Sequence, residues 1–228
     1  MIEMKDVYKR YPNGVTAASG IDVHIKQGEF VYVVGPSGAG KSTFIKMMYR
    51  EEKPSSGTIT IDGVNLATLR STKVPLLRRK IGVVFQDFKL LPTLTVYENV
   101  AFALEVIEEQ PKTIKKQVME TLELVNLKHK ARMLPTELSG GEQQRVSIAR
   151  SIVNAPKVVI ADEPTGNLDP DTSWEIMNIF EEINTRGTTV VMATHNKEIV
   201  NTIKNRVIAI EGGRIVRDEQ RGDYGYES

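Results

Sequence analysis

The segment Gly35–Thr43, GPSGAGKST, constrains this chain more than any other. It fills every fixed position of the pattern G-x-x-x-x-G-K-[ST], and its neighbours give that pattern physical meaning. Before it runs FVYVVG (Phe30–Gly35), a continuous apolar stretch of the kind buried on both faces of a parallel sheet. After it runs STFIKMMYR, with Phe44, Ile45, Met48 and Tyr49 at helical spacing. Strand, glycine loop and helix in that order make a phosphate cradle. Gly35, Gly38 and Gly40 let the backbone curl around Pro36, Ser37 and Ala39 so that successive N–H groups face an anion. Lys41 places a point charge on the β- and γ-phosphates. Ser42, with Thr43 beside it, offers a hydroxyl to Mg2+. The pattern predicts an α/β core that binds a nucleotide.

A second apolar run, KVVIADE, ends in two carboxylates. A strand buried in a parallel sheet delivers Asp162 to the carboxyl edge, where ligands of α/β folds sit. There it can orient Mg2+ through water, and Glu163 can accept a proton from an attacking water. Further strands are read in VTAASGIDVHI, TITIDG, IGVVFQ (Ile81–Gln86) and TTVVMATH, and RVIAIEGGRIVRD reads as a hairpin. The helix SWEIMNIFEEINTRG turns Ile176, Ile179, Phe180 and Ile183 inward and stops at Gly187. Residues 88–155 are mostly helical. There Val96, Val100, Phe102, Ala103 and Val106 are placed on one apolar face, and Ile114, Val118, Leu122 and Val125 on another. The expected organisation is one domain, with a core from 1–87 and 156–228 and a helical insert over 88–155.

Composition limits the remaining choices. The 228 residues, 40% hydrophobic, suffice for one large core with a subdomain. A net charge of +1 gives no basic footprint for nucleic acid. The absence of cysteine excludes disulfides and thiolate chemistry. No apolar run approaches the ~18 residues that span a bilayer, and MIEMKDVYKRY lacks the apolar region of a signal peptide, so a membrane role is expected to come through a partner. The Lys112, Lys115 and Lys116 face is either a solvated surface or a contact for anionic lipid.

One stretch is left over. LSGGEQQRVSIAR, from Leu138, reads as a tight polar turn opening a helix. That is a second phosphate-binding form, without a lysine.

Together these segments resemble the ATP-binding cassette (ABC) ATPases over nearly the whole chain. The matching segments are GPSGAGKS (Walker A), Gln86 (Q-loop), LSGGEQQ (signature), VVIADE (Walker B), GNLD (D-loop) and His195 in MATHN (switch histidine). The resemblance implies a RecA-like parallel-sheet core, an N-terminal antiparallel β subdomain and a helical signature subdomain. It implies that Tyr11 stacks on adenine, a contact of about 1–3 kcal/mol by analogy with other base–aromatic stacks. It implies that Gln86 reaches Mg2+ or the attacking water, and that His195 hydrogen-bonds the γ-phosphate. It further implies an ATP-dependent head-to-tail homodimer. Ser139 and Gly141 would then hold the γ-phosphate bound at the other copy's P-loop, and Asp169 would couple the two sites across the interface.

Within the family, VPLLRRKIGVVFQDFKLLPTLTVYENVAFALEV and the short charged end RDEQRGDYGYES resemble the cell-division branch. That branch works at the cytoplasmic face of the plasma membrane with the membrane protein FtsX to regulate peptidoglycan hydrolases. The lipoprotein-release and macrolide-export ATPases are the alternative. The partner is expected to dock between core and insert on Phe88, Leu90, Leu91 and Tyr97, which otherwise pack the insert. A soluble ABC protein of ribosomes or DNA would carry a second cassette or basic insertions, and a small-molecule kinase would not explain LSGGEQQ.

Overall fold

The computed structural model describes residues 1–225. The last three residues of the charged C-terminal segment lie outside them. Two sheets organise the chain. The first is antiparallel, in the order β2-β1-β4-β5, from β1 (Ile2–Arg10), β2 (Thr16–Ile25), β4 (Ser56–Ile61) and β5 (Val64–Asn65). In β1 the buried residues are Ile2, Met4 and Val7. Met4 and Val7 are three apart, which a regular strand would put on opposite faces. A register shift between them, with Asp6 at φ 48°, returns Val7 to the core. Gly57 faces this irregularity, where a Cβ would sit 2.2 Å from the Asp6 carbonyl oxygen.

The second sheet has the order β10-β9-β3-β8-β7-β6. Its members are β3 (Phe30–Val34), β6 (Ile81–Val84), β7 (Val158–Asp162), β8 (Thr189–Ala193), β9 (Arg206–Glu211) and β10 (Arg214–Glu219). All adjacent pairs are parallel except β9 and β10, which form a hairpin through Gly212-Gly213. Both glycines have positive φ, as a two-residue hairpin turn of this kind requires. The parallel strands run in one direction, so the segments that follow β3, β8, β7 and β6 emerge side by side at one edge. Those segments carry the P-loop, His195, Glu163 and Gln86, with Asp162 closing β7.

Helix α1 (Lys41–Met48) lies between the two sheets. Its Phe44, Ile45, Met47 and Met48 pack with Ile2, Met4, Ile59 and Ile61 on one side and Val31, Val33 and Ile160 on the other. Each such fully buried side chain contributes about 2 kcal/mol of transfer free energy. The short α2 (Val74–Arg78), in VPLLR, was not expected; Pro75 sits in its first turn, where a missing N–H costs nothing. On the opposite face of the large sheet, α6 (Pro170–Thr185) buries Ile176, Met177, Phe180 and Ile183 together with Ile199 and Val200 of α7 (Lys197–Thr202).

A third cluster belongs to α3 (Val96–Glu105), α4 (Pro111–Leu124) and α5 (Gly140–Ile152). The apolar face of α4 is as the spacing predicts, with Ile114, Val118, Leu122 and the following Val125 buried. That of α3 is not. Its buried residues are Val96, Asn99, Val100, Ala101 and Leu104, while Phe102 and Val106 are 44% and 45% exposed. The helix carries apolar residues nearly all round, and a buried asparagine occupies the inward stripe. Asn99 donates to the carbonyls of Leu91, Leu94 and Thr95 and accepts from the Leu91 N–H, so it folds the preceding loop onto the helix.

Candidate active site

Backbone contacts explain why the P-loop is built from glycine. Gly35 has φ 146°, and a Cβ there would stand 2.1 Å from the Ile210 carbonyl oxygen. Gly40 has φ 108°, and its Cβ would stand 2.3 Å from the Ala17 carbonyl oxygen. Larger residues would push the loop off the sheet. Lys41 curls back over the loop and donates to the carbonyls of Gly35 (2.8 Å) and Pro36 (3.1 Å). Ser37, Gly38 and Ser42 are exposed, and Ala39 anchors the loop in the core. Tyr11 is tied to the same unit, its hydroxyl 3.2 Å from Thr43 Oγ1. The Lys9 ammonium lies 4.8 Å from the Tyr11 ring centroid, a cation–π contact.

Asp162 ends β7 half-buried. Burial, and then the adjacent Glu163 charge, push its carboxyl up from the ordinary aspartate range; Lys46, the Ser42 hydroxyl and Lys41 act the other way. Its Oδ1 is buried without a hydrogen-bond partner. An unsatisfied carboxylate oxygen beside a serine hydroxyl is the hard-oxygen donor chemistry that suits Mg2+, so these residues fit that ion.

Glu163 and His195 are brought together. Glu163 Oε2 accepts from the His195 backbone N–H (3.2 Å) and lies 2.8 Å from its Nδ1. The glutamate sits at φ 50°, a conformation that disfavours a side chain, and it is held there at both ends. Its N–H donates to Ala193 and its carbonyl accepts from Gly166. Gln86 is exposed, and its amide donates to Asn167 Oδ1 (3.2 Å) rather than standing free. Asn167 belongs to GNLD but was overlooked beside Asp169, although the motif itself marked it.

Ser139, Gly141 and Asp169 form a separate group, with no hydrogen bond to the P-loop among the described residues. Ser139 caps α5, closing a box with Glu142 in which each side chain takes the other's backbone N–H. Gly141 meets the first turn of α6, where a Cβ would lie 2.3 Å from Thr172 Cγ2. Asp169 caps α6 by accepting from the Thr172 N–H, and the Thr172 side chain and N–H hold its carboxyl below the usual range. Buried Gln144 donates to the Pro164 carbonyl (2.7 Å), joining α5 to the segment after Glu163. Arg150 donates to the carbonyls of Phe88 and Lys89, two residues with positive φ that follow Gln86. Gln144 lies within LSGGEQQ but was given no role there, and no sequence pattern announced the contacts of Arg150, because both act on distant carbonyls.

A groove opens where α2 and β6 face α3 and α5. Its cavity of about 480 Å3 has an apolar wall that includes Phe85, Leu91, Phe102 and Val106 and a polar one that includes Arg78, Arg79, Arg150 and Asn154. Of the four expected residues only Leu91 faces it. Leu90 and Tyr97 pack into the helical cluster, and Phe88 lies toward Gly140.

Residues 18–166 match the family described as ABC transporter. The chain belongs to the ABC transporter ATPase family. It is an ATPase with the ABC fold, and the Walker, signature and D-loop segments above lie on that fold. It is 76% identical to the cell division ATP-binding protein FtsE of Bacillus subtilis (strain 168), over 99% of each chain. It is 64% identical to FtsE of Streptococcus pneumoniae serotype 2 (strain D39 / NCTC 7466), over 100% of this chain and 99% of that one. Among solved structures it is similar to the ATP-binding cassette MJ0796 in a dimeric post-hydrolysis state bound to ADP and Pi. There the TM-score is 0.88 at 36% identity, covering 97% of this chain and 99% of that one.

Proposed function

We propose that this chain is the ATP-hydrolysing subunit of a bacterial cell-division complex. It works as a head-to-tail homodimer on the cytoplasmic face of the plasma membrane, bound there through an FtsX-type membrane protein. The full-length likeness to FtsE proteins supports the cell-division role. ATP-driven closure of the dimer moves the membrane partner and so regulates peptidoglycan hydrolysis. No helix among the described residues is long and apolar enough to cross a membrane, which fits attachment through a partner.

The observation that carries the chemistry is the Glu163–His195 contact at the strand edge beside Asp162. With Oε2 holding His195, Oε1 is left to take the proton of the attacking water. Lys41 exchanges its two carbonyls for the β- and γ-phosphates. Mg2+ would be held by Ser42, Asp162 and Gln86 and would supply positive charge to the phosphates. Gln86 now donates to Asn167, so serving as a ligand would release this tie between the Q-loop and the D-loop. His195 donates to the γ-phosphate, a contact of the kind worth about 3–4 kcal/mol in the transition state. Tyr11 stacks on adenine. Ser139 and Gly141 of each copy close over the γ-phosphate held by the other, and Asp169 transmits closure between the sites.

Glu163→Gln tests this reading. The variant is expected to bind ATP, to lose about 100-fold or more in turnover, and to accumulate as an ATP-dependent dimer in light scattering. A variant that stays monomeric at saturating ATP would sink the shared-site scheme.

The membrane protein docks in the groove whose apolar wall includes Phe85, Leu91, Phe102 and Val106. The exposure of Phe102 and Val106 on an otherwise well-packed helix favours a covered surface there. Phe102→Asp should weaken co-purification of an FtsX-type protein by about tenfold or more, while ATP turnover of the isolated chain survives. Equal recovery by both forms would reject the groove.

A further inference from the structure

Residues 221–225 do not trail into solvent. After β10 the chain turns back across the start of the segment that follows His195. The Gly222 N–H donates to the Asn205 carbonyl (3.1 Å), and Asp223 pairs with Lys204 (3.0 Å). Arg217 donates to the Asp223 carbonyl. The Tyr224 N–H donates to Asn201 Oδ1 (2.7 Å), and the Lys197 ammonium lies 5.6 Å from the Tyr224 ring centroid. Tyr224 as a whole is only 7% exposed and packs with the cluster that holds Ile199 and Val200. Apart from Arg217 on β10, these partners lie on α7 or in the turn that leaves it.

Helix α7 has six residues, too short to be stable alone, and must be fixed by packing. Its N-cap is Asn196, whose Oδ1 accepts from the Ile199 N–H (3.1 Å). The residue before that cap is His195, whose backbone and ring both bond Glu163. Lys197 and Asn201, the two α7 residues gripped by Tyr224, bracket the helix. The Tyr224 hydroxyl is also within range of the Glu163 charge, which adds to burial in pushing it up.

We propose that Tyr224 is a positioning residue for ATP hydrolysis: by latching the C-terminal segment onto α7 it sets where His195 stands. This rests on the reading above in which His195 contacts the γ-phosphate. Loss of the latch leaves the P-loop and Tyr11 untouched, so ATP binding is unaffected while the histidine loses its register. A displacement of about 1 Å in such a group costs up to about 100-fold in rate.

The test uses the full-length chain with Mg2+ and ATP, comparing Tyr224→Ala, Tyr224→Phe, His195→Ala and the Tyr224→Ala/His195→Ala double variant. Tyr224→Ala should lower kcat by about tenfold with KM for ATP nearly unchanged. Tyr224→Phe, which keeps the ring, should restore most of the rate. In the His195→Ala background the tyrosine change should cost nothing further, because both act through one group. Parental kcat in Tyr224→Ala overturns the latch, as does a matching fall in Tyr224→Phe or additive loss in the double variant. Parental turnover in His195→Ala instead overturns the underlying role of His195, and the latch with it. If Tyr224→Ala does not fold, Asn201→Ala cuts the same latch from the helix side. It should give the same kcat-only loss, and parental kcat there rejects the proposal.

Discussion

Helix α1 begins at Gly40 with no side-chain cap and no acidic residue in its first turn, whereas α5 begins at Ser139 inside a closed capping box with Glu142. Both first turns follow glycine-rich or serine–glycine turns, and both present N–H groups that suit an anion. The first is left open, with a lysine folded over it that donates to two of the loop's own carbonyls. The second is partly satisfied by its own chain, which takes the Ser139 and Glu142 N–H groups, and the carboxylate that does so is paired with Lys130. An open cradle can bind a nucleotide unaided. A self-capped one has little to gain from an anion unless that anion arrives already held and already compensated. The contrast gives a physical reason for the composite site proposed above, in which the P-loop binds first and the signature helix is recruited by a phosphate whose charge is met elsewhere.

The sharpest way to break this contrast is to damage each end in turn. Lys41→Ala should weaken ATP binding by about 10- to 100-fold, the scale of a lost charged hydrogen bond, as read by titration of the isolated chain. Ser139→Arg should leave that titration nearly unchanged yet remove dimer closure and cut turnover by about 100-fold. The opposite ranking, with Ser139→Arg impairing binding by a single chain, would place both cradles in one site. Hydrolysis surviving in Ser139→Arg would reduce the signature turn to a helix cap.

The open end was legible in the sequence and the closed end only partly so. A P-loop is local: its glycines, lysine and serine are neighbours, and flanking apolar runs report the strand and helix that hold it. Asp162 and Glu163 were legible for the same reason, at the end of an apolar strand. Ser139 with Glu142 three residues on is also a local signal, yet the phosphate reading hid the cap. His195 carried no local signal and was recognised only through family likeness. Its contact with Glu163 depends on β7 and β8 being neighbours in the sheet. The inward face of α3 was misread because counting apolar residues cannot reveal that Asn99 is buried by four hydrogen bonds. Arg150 and Tyr224 were invisible for the same physical reason: their partners are carbonyls, an amide and a helix end that only the folded chain brings near.

The smallest expected effect tests the closed end by itself. Glu142 takes the Ser139 N–H and pairs with Lys130, and these two contacts, Lys130 first, hold its carboxyl below the usual glutamate range. A carboxylate whose folded value is depressed stabilises the fold above its unfolded value, and that stability drains away as pH falls through the folded value. Glu142→Ala should therefore cost about 1 kcal/mol at neutral pH, the scale of a lost cap. The gap between parent and variant should narrow in acid below the ordinary glutamate range. Thermal melts of both proteins across pH would show it. A gap that stays constant into acid would mean that the contribution comes from packing rather than from the ionised carboxylate. The α5 turn would then owe its closure to Ser139 alone, and the difference between the two helix starts would be smaller than drawn here.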